Sequence, residues 1–413
     1  MKRFCLFPTI VVLLLILNNG IQAQTTQTQS NQIVIGTQET IYSKILNEQR
    51  NILVYVPASA SSEIYTKQRY PVIYLLDGWP AKFSSVVGMI RELNLSYSCP
   101  EMIVVGIPNT DRTRDLTPTH MDSWQFLDFV MDNNLCKNSG GGEKFISFIE
   151  KELIPHIYSI YPTAPYRMLI GYSFGGLTAM NTLIHHTNLF KAYVAIDPSM
   201  SWDNQKLLKE AEKELATNNY SGISLFLGIA NTMKAGMDTI KVRKDITKAT
   251  EHIRSAFELR DYLNHNKQNQ LKYAYRYYNN DDHGSVPTIA EYDALRFIFD
   301  YYQYNTFNFN DYKNFENLYE NMSKHFGYKV KPPESIINSL VSQCLFFKLY
   351  DMALYFSKLN VSNYPENYNV YNSMGDYYDA TGDKANAINN YEKALSIKEV
   401  SGVRKKLEKL RTK

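Results

Sequence analysis

Cysteine and tryptophan are scarce in this chain, with four and three copies among 413 residues. Cys5, Cys99, Cys136 and Cys344 are widely and irregularly spaced, with no Cys-x-x-Cys pair. This argues against a zinc site built on paired thiolates and against a disulfide-stapled scaffold. A bridge between Cys99 and Cys136 stays open; otherwise the cysteines read as packing residues. An excess of one charge is also missing, since 44 basic side chains face 41 acidic ones for a net charge of +3. A chain so balanced offers no clustered basic surface for nucleic acid. The apolar run over residues 4–17 is shorter than the ~20 residues that a membrane span needs. Nothing in the pattern implies a metal or an organic cofactor.

What is present begins at the N-terminus. Lys2 and Arg3, the apolar run, the break Asn18-Asn19-Gly20 and the small residue Ala23 have the order of a secretory signal peptide. Residues 1–23 are therefore expected to be removed, leaving a periplasmic or secreted protein with no stable membrane span. Residues 24–32 (QTTQTQSNQ) read as a flexible leader.

From residue 33 the pattern becomes that of an α/β protein. Residues 33–43 and 50–57 read as early strands. Residues 70–76 (YPVIYLL) and 102–107 (MIVVGI) are nearly continuous apolar runs, as strands buried on both faces require. Further strands are expected at 167–170, 192–196, 223–228 and 273–278. Helical spacing falls between them at 144–160, 176–186, 245–264 and 288–302. This alternation predicts a mostly parallel sheet covered on both faces, over residues 33–305.

Beyond it, residues 306–335 are rich in Tyr, Asn, Phe and Lys and read as a linker. Residues 336–413 read as purely helical with a repeat. Ala387 lies 34 residues after Ala353, and Tyr371, Met374, Gly375, Tyr378, Tyr391 and Ala394 hold the offsets of a tetratricopeptide unit. Val341 stands where the first unit would carry glycine. A small all-α repeat domain is expected there, with a surface for a protein partner or for self-association.

The sharpest chemical signal is Gly171-Tyr172-Ser173-Phe174-Gly175-Gly176, set between a buried strand and a helix. In that context G-x-S-x-G is a nucleophile elbow, whose glycines leave room for a strained turn that lifts the serine above the sheet. A serine hydroxyl needs a base, with the chain order serine, acid, histidine. Of eight histidines, His120 and His156 precede Ser173, and His185 and His186 lie at the far end of its helix. His252 and His265 fall in or just after a helix, where a solvated face explains them, and His325 lies beyond the sheet. His283, in Asp281-Asp282-His283-Gly284 after the last strand, is where the base belongs.

The acid is less determined. Asp238 and Asp245, the nearest carboxylates after the strand 223–228, are the favoured acids, although Asp245 competes as a helix cap. Asp197, ending the preceding strand, is a third candidate, and a Ser–His dyad is also open. Oxyanion donors are expected from the backbone of Phe174 and of Trp79, in the loop Asp77-Gly78-Trp79-Pro80. Arg112, Trp124 and Trp202 are candidates for the substrate pocket.

Several segments together resemble the esterase group related to esterase D, which includes siderophore esterases of the enterobactin-hydrolysing type and feruloyl esterases. They are Tyr74-Leu75-Leu76-Asp77-Gly78, Arg114-Asp115-Leu116-Thr117-Pro118, Gly140-Gly141-Gly142, the Ser173 elbow, Asp197-Pro198-Ser199 before Trp202, and His283-Gly284-Ser285-Val286-Pro287. The resemblance spans about residues 38–302. It implies an α/β-hydrolase fold, Ser173 and His283 as catalytic residues, and carboxylic esters as substrates, whether small molecules or glycan-linked. Relatives commonly carry a glutamate near Asn231 and Ser-Pro-Ser at 197–199, so the resemblance does not choose the acid. The expected activity is ester hydrolysis through an acyl-enzyme. An acyltransferase on the same fold and a non-catalytic adaptor acting through the repeats are the alternatives.

Overall fold

The computed structural model describes residues 33–302 and 309–412. The expected signal segment 1–23 and leader 24–32 lie outside the described residues.

The strands are β1 (Thr37–Ser43), β2 (Glu48–Tyr55), β3 (Tyr70–Leu76), β4 (Ile103–Ile107), β5 (Trp124–Phe126), β6 (Phe129–Met131), β7 (Thr163–Tyr172), β8 (Ala192–Ile196), β9 (Ser224–Ala230) and β10 (Lys272–Tyr278). Eight of them form one sheet in the order β1-β2-β4-β3-β7-β8-β9-β10, and β5 and β6 pair as a separate hairpin. From β4 through β10 every neighbour is parallel, while β2 runs antiparallel to β1 and β4. The expected mostly parallel sheet, flanked by helices, is what forms.

Alternation along each strand sorts the core into two layers. On β3, Val72, Tyr74 and Leu76 face one layer while Ile73 and Leu75 face the other. On β9, Leu225, Leu227 and Ile229 oppose Phe226 and Ala230 in the same way. Each fully buried aliphatic side chain contributes roughly 1.5–3 kcal/mol, so these two-sided strands dominate stability. Helices Pro80–Leu95 and Trp202–Thr217 add to the four helical regions expected. The expected helix over 144–160 is interrupted by a π-turn at Ile149–Leu153. Pro155 follows there and brings no N–H to the ladder.

The stretch 306–335 differs from the expected linker. It carries the helix Phe315–Phe326, whose Phe315, Tyr319, Met322 and Phe326 are buried in the same layer as Ile73. Their spacing of four, three and four is a helical stripe that the aromatic and Asn-rich composition obscured. Two helical pairs follow, Glu334–Phe346 with Tyr350–Asn363 and Tyr368–Thr381 with Lys384–Ile397, and then the helix Ser401–Thr412. Each helix of the second pair begins 34 residues after its counterpart in the first. Ala353 and Ala387 are fully buried. A Cβ on Gly375 would stand 2.5 Å from the Tyr391 ring, which is why that position holds glycine.

The first pair is part of the sheet's own core, through Ile337, Val341, Cys344 and Phe356. Glu334, fully buried, accepts from the Thr66 amide and hydroxyl at 2.8 Å and from Asn367 at 2.9 Å. Cys99, Cys136 and Cys344 are free and buried, so the Cys99–Cys136 bridge does not form. Among the described residues no helix is long and apolar enough to cross a membrane.

Candidate active site

The parallel strands end together on one edge of the sheet, and three strand-end residues there share an unusual backbone. Asp77 follows β3, Ser173 follows β7 and Asp197 follows β8, with φ of 53°, 59° and 41°. A side chain at such angles costs on the order of 1–3 kcal/mol, so the surrounding packing must hold each one in place. At Ser173 the sequence supplies the room. A Cβ on Gly171 would lie 2.0 Å from the Gly175 carbonyl oxygen, and one on Gly176 would lie 3.0 Å from that of Ile196. The Ser173 amide is held by the Ile196 carbonyl at 2.9 Å.

His283 reaches this edge from the loop after β10. Its Nε2 lies 3.2 Å from Ser173 Oγ and its Nδ1 lies 2.6 Å from Asp197 Oδ2. Asp197 is completely buried, and its other oxygen, Oδ1, accepts the Ala230 amide at 3.1 Å. Burial alone would raise this carboxyl, but His252 and His283 beside it hold it well below the usual carboxylate range. An ionised carboxylate only accepts, so the facing Nδ1 of His283 carries a proton. Burial, with His252 and Arg112 nearby, holds His283 below its ordinary value, although Asp197 raises it. The neutral ring therefore presents a bare Nε2 to Ser173, whose hydroxyl donates to it. Tyr172 fixes the ring further, its hydroxyl donating to the His283 carbonyl at 2.5 Å and its ring lying 4.7 Å away. Phe126 from the β5–β6 hairpin also packs against it, with ring centroids 4.5 Å apart.

Asp238 and Asp245, the acids favoured from the sequence, are elsewhere. Asp238 is exposed and accepts from the Ile240 and Lys241 amides. Asp245 accepts from the hydroxyls of Thr247 and Thr250, which draw its pKa down to about 2. Both carboxylates serve local turns, and the side chain at His283 is Asp197. β7 and β8 are adjacent in the sheet, so their ends meet, whereas the loop holding 238 and 245 leads away after β9.

A second histidine stands at Asp197. His252, expected on a solvated face, is 1% exposed, and its Nε2 lies 2.9 Å from Asp197 Oδ2. The signal was present, because His252, Ala256, Leu259 and Leu263 form the buried stripe of helix Glu251–His265. Asp197, His252 and His283 are also the one group among the described residues with ligand atoms close enough to hold an ion. Their facing atoms are already joined by hydrogen bonds, which makes the set a proton-holding network.

The remaining expectations divide. The Phe174 amide opens the helix Phe174–His185, where the first four N–H groups have no intrahelical acceptor. The Trp79 amide instead donates to the Asp77 carbonyl at 2.8 Å, closing a tight turn, so the donor expected there is engaged. A cleft of about 620 Å³ opens over Ser173 and His283, walled by Trp79, Lys82, Arg112 and Glu291. Arg112 holds both oxygens of Asp77, at 2.8 and 3.0 Å, and lies over the Phe174 ring. Trp124 and Trp202 do not line this cleft. They are buried against Phe174 at 5.1 and 5.2 Å, as packing beneath the elbow. The Arg114-Asp115 motif is structural too, since Asp115 is buried and takes Arg50 at 2.6 Å and Arg114 at 2.8 Å.

A sheet of this order with a strained serine between strand and helix defines the α/β-hydrolase class. Residues 43–281 match the esterase family described as "Putative esterase". Ferri-bacillibactin esterase BesA from Bacillus subtilis is 30% identical over 48% of this chain and 71% of its own length. A siderophore enterobactin esterase from Emericella nidulans is 29% identical over 37% of this chain, which spans about half (52%) of that enzyme. An IroE-like serine hydrolase from Shewanella oneidensis superimposes with a TM-score of 0.66 at 29% identity, covering 79% of this chain and 98% of that one. An uncharacterised protein from Capnocytophaga ochracea, at 19% identity and a TM-score of 0.55, shares the fold over 92% of this chain and all (100%) of its own. The chain belongs to this esterase family and is a carboxylic ester hydrolase.

Proposed function

We propose that hydrolysis proceeds through an acyl-enzyme on Ser173, with His283 as general base and Asp197 as its acid partner. The observation that carries this reading is the position of His283, 3.2 Å from Ser173 Oγ and 2.6 Å from Asp197 Oδ2. As Oγ attacks the ester carbonyl, its proton passes to Nε2 while Nδ1–H remains on Asp197, whose charge offsets that of the imidazolium. The Phe174 amide receives the oxyanion, where the positive end of its helix favours negative charge. His283 then returns the proton to the departing alcohol, and water repeats the sequence to release the acid. A positioned general base of this kind is worth about 10²–10⁴ in rate.

The siderophore esterases among the relatives make a siderophore-type small-molecule ester the substrate to try first. The N-terminal pattern supports export to the periplasm or beyond. The 34-residue offset of the helical pairs supports a tetratricopeptide-type tail that offers a partner or self-association surface.

Turnover of p-nitrophenyl acetate and of longer acyl esters by residues 24–413, beside Ser173→Ala, tests the reaction. Loss of turnover in the variant supports it. Equal turnover in both would remove Ser173 from the chemistry.

A further inference from the structure

The proposed reaction uses one imidazole on Asp197, yet two are bound there. His252 Nε2 and His283 Nδ1 face the same oxygen, Oδ2, at 2.9 and 2.6 Å, with ring planes at 88° to each other. The carboxylate is ionised and only accepts, so both nitrogens donate. His252 Nδ1 is buried and has no hydrogen-bond partner among the described residues. The ring thus carries the desolvation cost of a polar group for a single polar contact, which a phenylalanine in the same space would avoid. Its mounting is rigid, on the second residue of helix Glu251–His265 and under Phe126, whose ring lies 4.8 Å away.

We infer that His252 is a positioning residue for ester hydrolysis, holding the Asp197 carboxylate and limiting how strongly Asp197 raises the basicity of His283. The inference rests on the Ser173–His283–Asp197 reading. A carboxylate oxygen shared between two N–H donors is a weaker acceptor for each. The base is thereby kept neutral, ready to accept the serine proton, over a wider range of pH. The titratable and charged groups facing His283 are Asp197, His252 and Arg112, with Asp282 beside it in its own loop. Tyr172 contributes its ring and its bond to the backbone. Of these, His252 is the one hydrogen-bonded to Asp197, so removing it leaves the other influences in place.

The test uses His252→Phe, which retains a ring and loses the donor, and His252→Gln, which retains a donor. Two quantities are read, the acid limb of kcat/KM and the titration of the His283 ring by NMR. In His252→Phe both midpoints rise by roughly 0.5–1 unit. Its kcat falls about 10-fold as Asp197 loosens, and His252→Gln restores most of both effects. A purely structural role would lower thermal stability and leave the His283 midpoint where it was. That outcome, or equal behaviour of the Phe and Gln variants, overturns the inference. Should the Phe variant not fold, the unmodified protein still decides. Two low-field imidazole N–H signals must both depend on Asp197, and a single such signal overturns the inference. Failure of the unmodified protein to turn over esters would count against the hydrolytic reading, while the NMR arm would still decide the role of His252.

Discussion

Replacing Asp197 with asparagine separates the proposed acid from the candidates that lie nearer in sequence to the expected position. Asp197 accepts three hydrogen bonds, from His283, His252 and the Ala230 amide. In Asp197→Asn the carbonyl oxygen can retain the Ala230 amide, which turns the amide N–H₂ toward both imidazoles. Facing a donor, His283 must then hold its proton on Nε2, the atom beside Ser173. In that tautomer it cannot take the serine proton, and no negative charge remains to offset the imidazolium. The analogous substitution in a serine protease lowers kcat about 10⁴-fold, and a similar loss is expected here. At about 1.36 kcal/mol per tenfold, this is roughly 5 kcal/mol of barrier. The assay is kcat/KM on p-nitrophenyl acetate, with circular dichroism to show that the variant is folded. Asp238→Asn and Asp245→Asn serve as controls and should stay within about twofold of the parent, as surface substitutions do. A folded Asp197→Asn protein retaining more than a tenth of the activity, or an inactive Asp245→Asn, would refute the reasoning.

Three other outcomes are expected. Because burial lowers His283 below its ordinary value, its neutral form persists to lower pH. The acid limb of kcat/KM should therefore lie below pH ~6.5, with activity lost as pH falls through it; a midpoint above that value contradicts the burial argument. Gly171→Ala places a Cβ against the Gly175 carbonyl and should cost more than ~3 kcal/mol in a urea melt, while Gly88→Ala, in open space on its helix, should be neutral or stabilising. Glu334→Ala unpairs the Thr66 amide and Asn367 at the junction with the tail. It should lower stability by about 1–3 kcal/mol with kcat unchanged, measured by thermal melting beside the ester assay.

Most of the sheet was legible because its strands are short, apolar and bounded by turns. The runs at 70–76 and 192–196 coincide with β3 and β8. The elbow was legible for a different reason, since the strained turn demands glycines at fixed offsets from Ser173. His283 followed from chain order. The carboxylate beside His283 did not, because Asp197 reads as one more turn residue until β8 is known to lie beside β7. That adjacency is a long-range fact, carried by register rather than by any local motif. His252 was hidden by its type, since a histidine inside a helix is usually solvated, although its spacing with Ala256, Leu259 and Leu263 pointed inward. The chemical character of Trp124 and Trp202 suits a pocket, but their bulk packs beneath Phe174. The helix Phe315–Phe326 was masked by composition.

Everything proposed for this site depends on Ser173 being the nucleophile, and covalent labelling tests that most directly. The folded protein would be treated with a fluorophosphonate ester, digested, and the adduct located by mass spectrometry. One adduct per chain on the peptide containing Ser173, formed more slowly in His283→Ala and in Asp197→Asn, is the predicted result. No adduct, or an adduct on another residue with Ser173 unmodified, would contradict it.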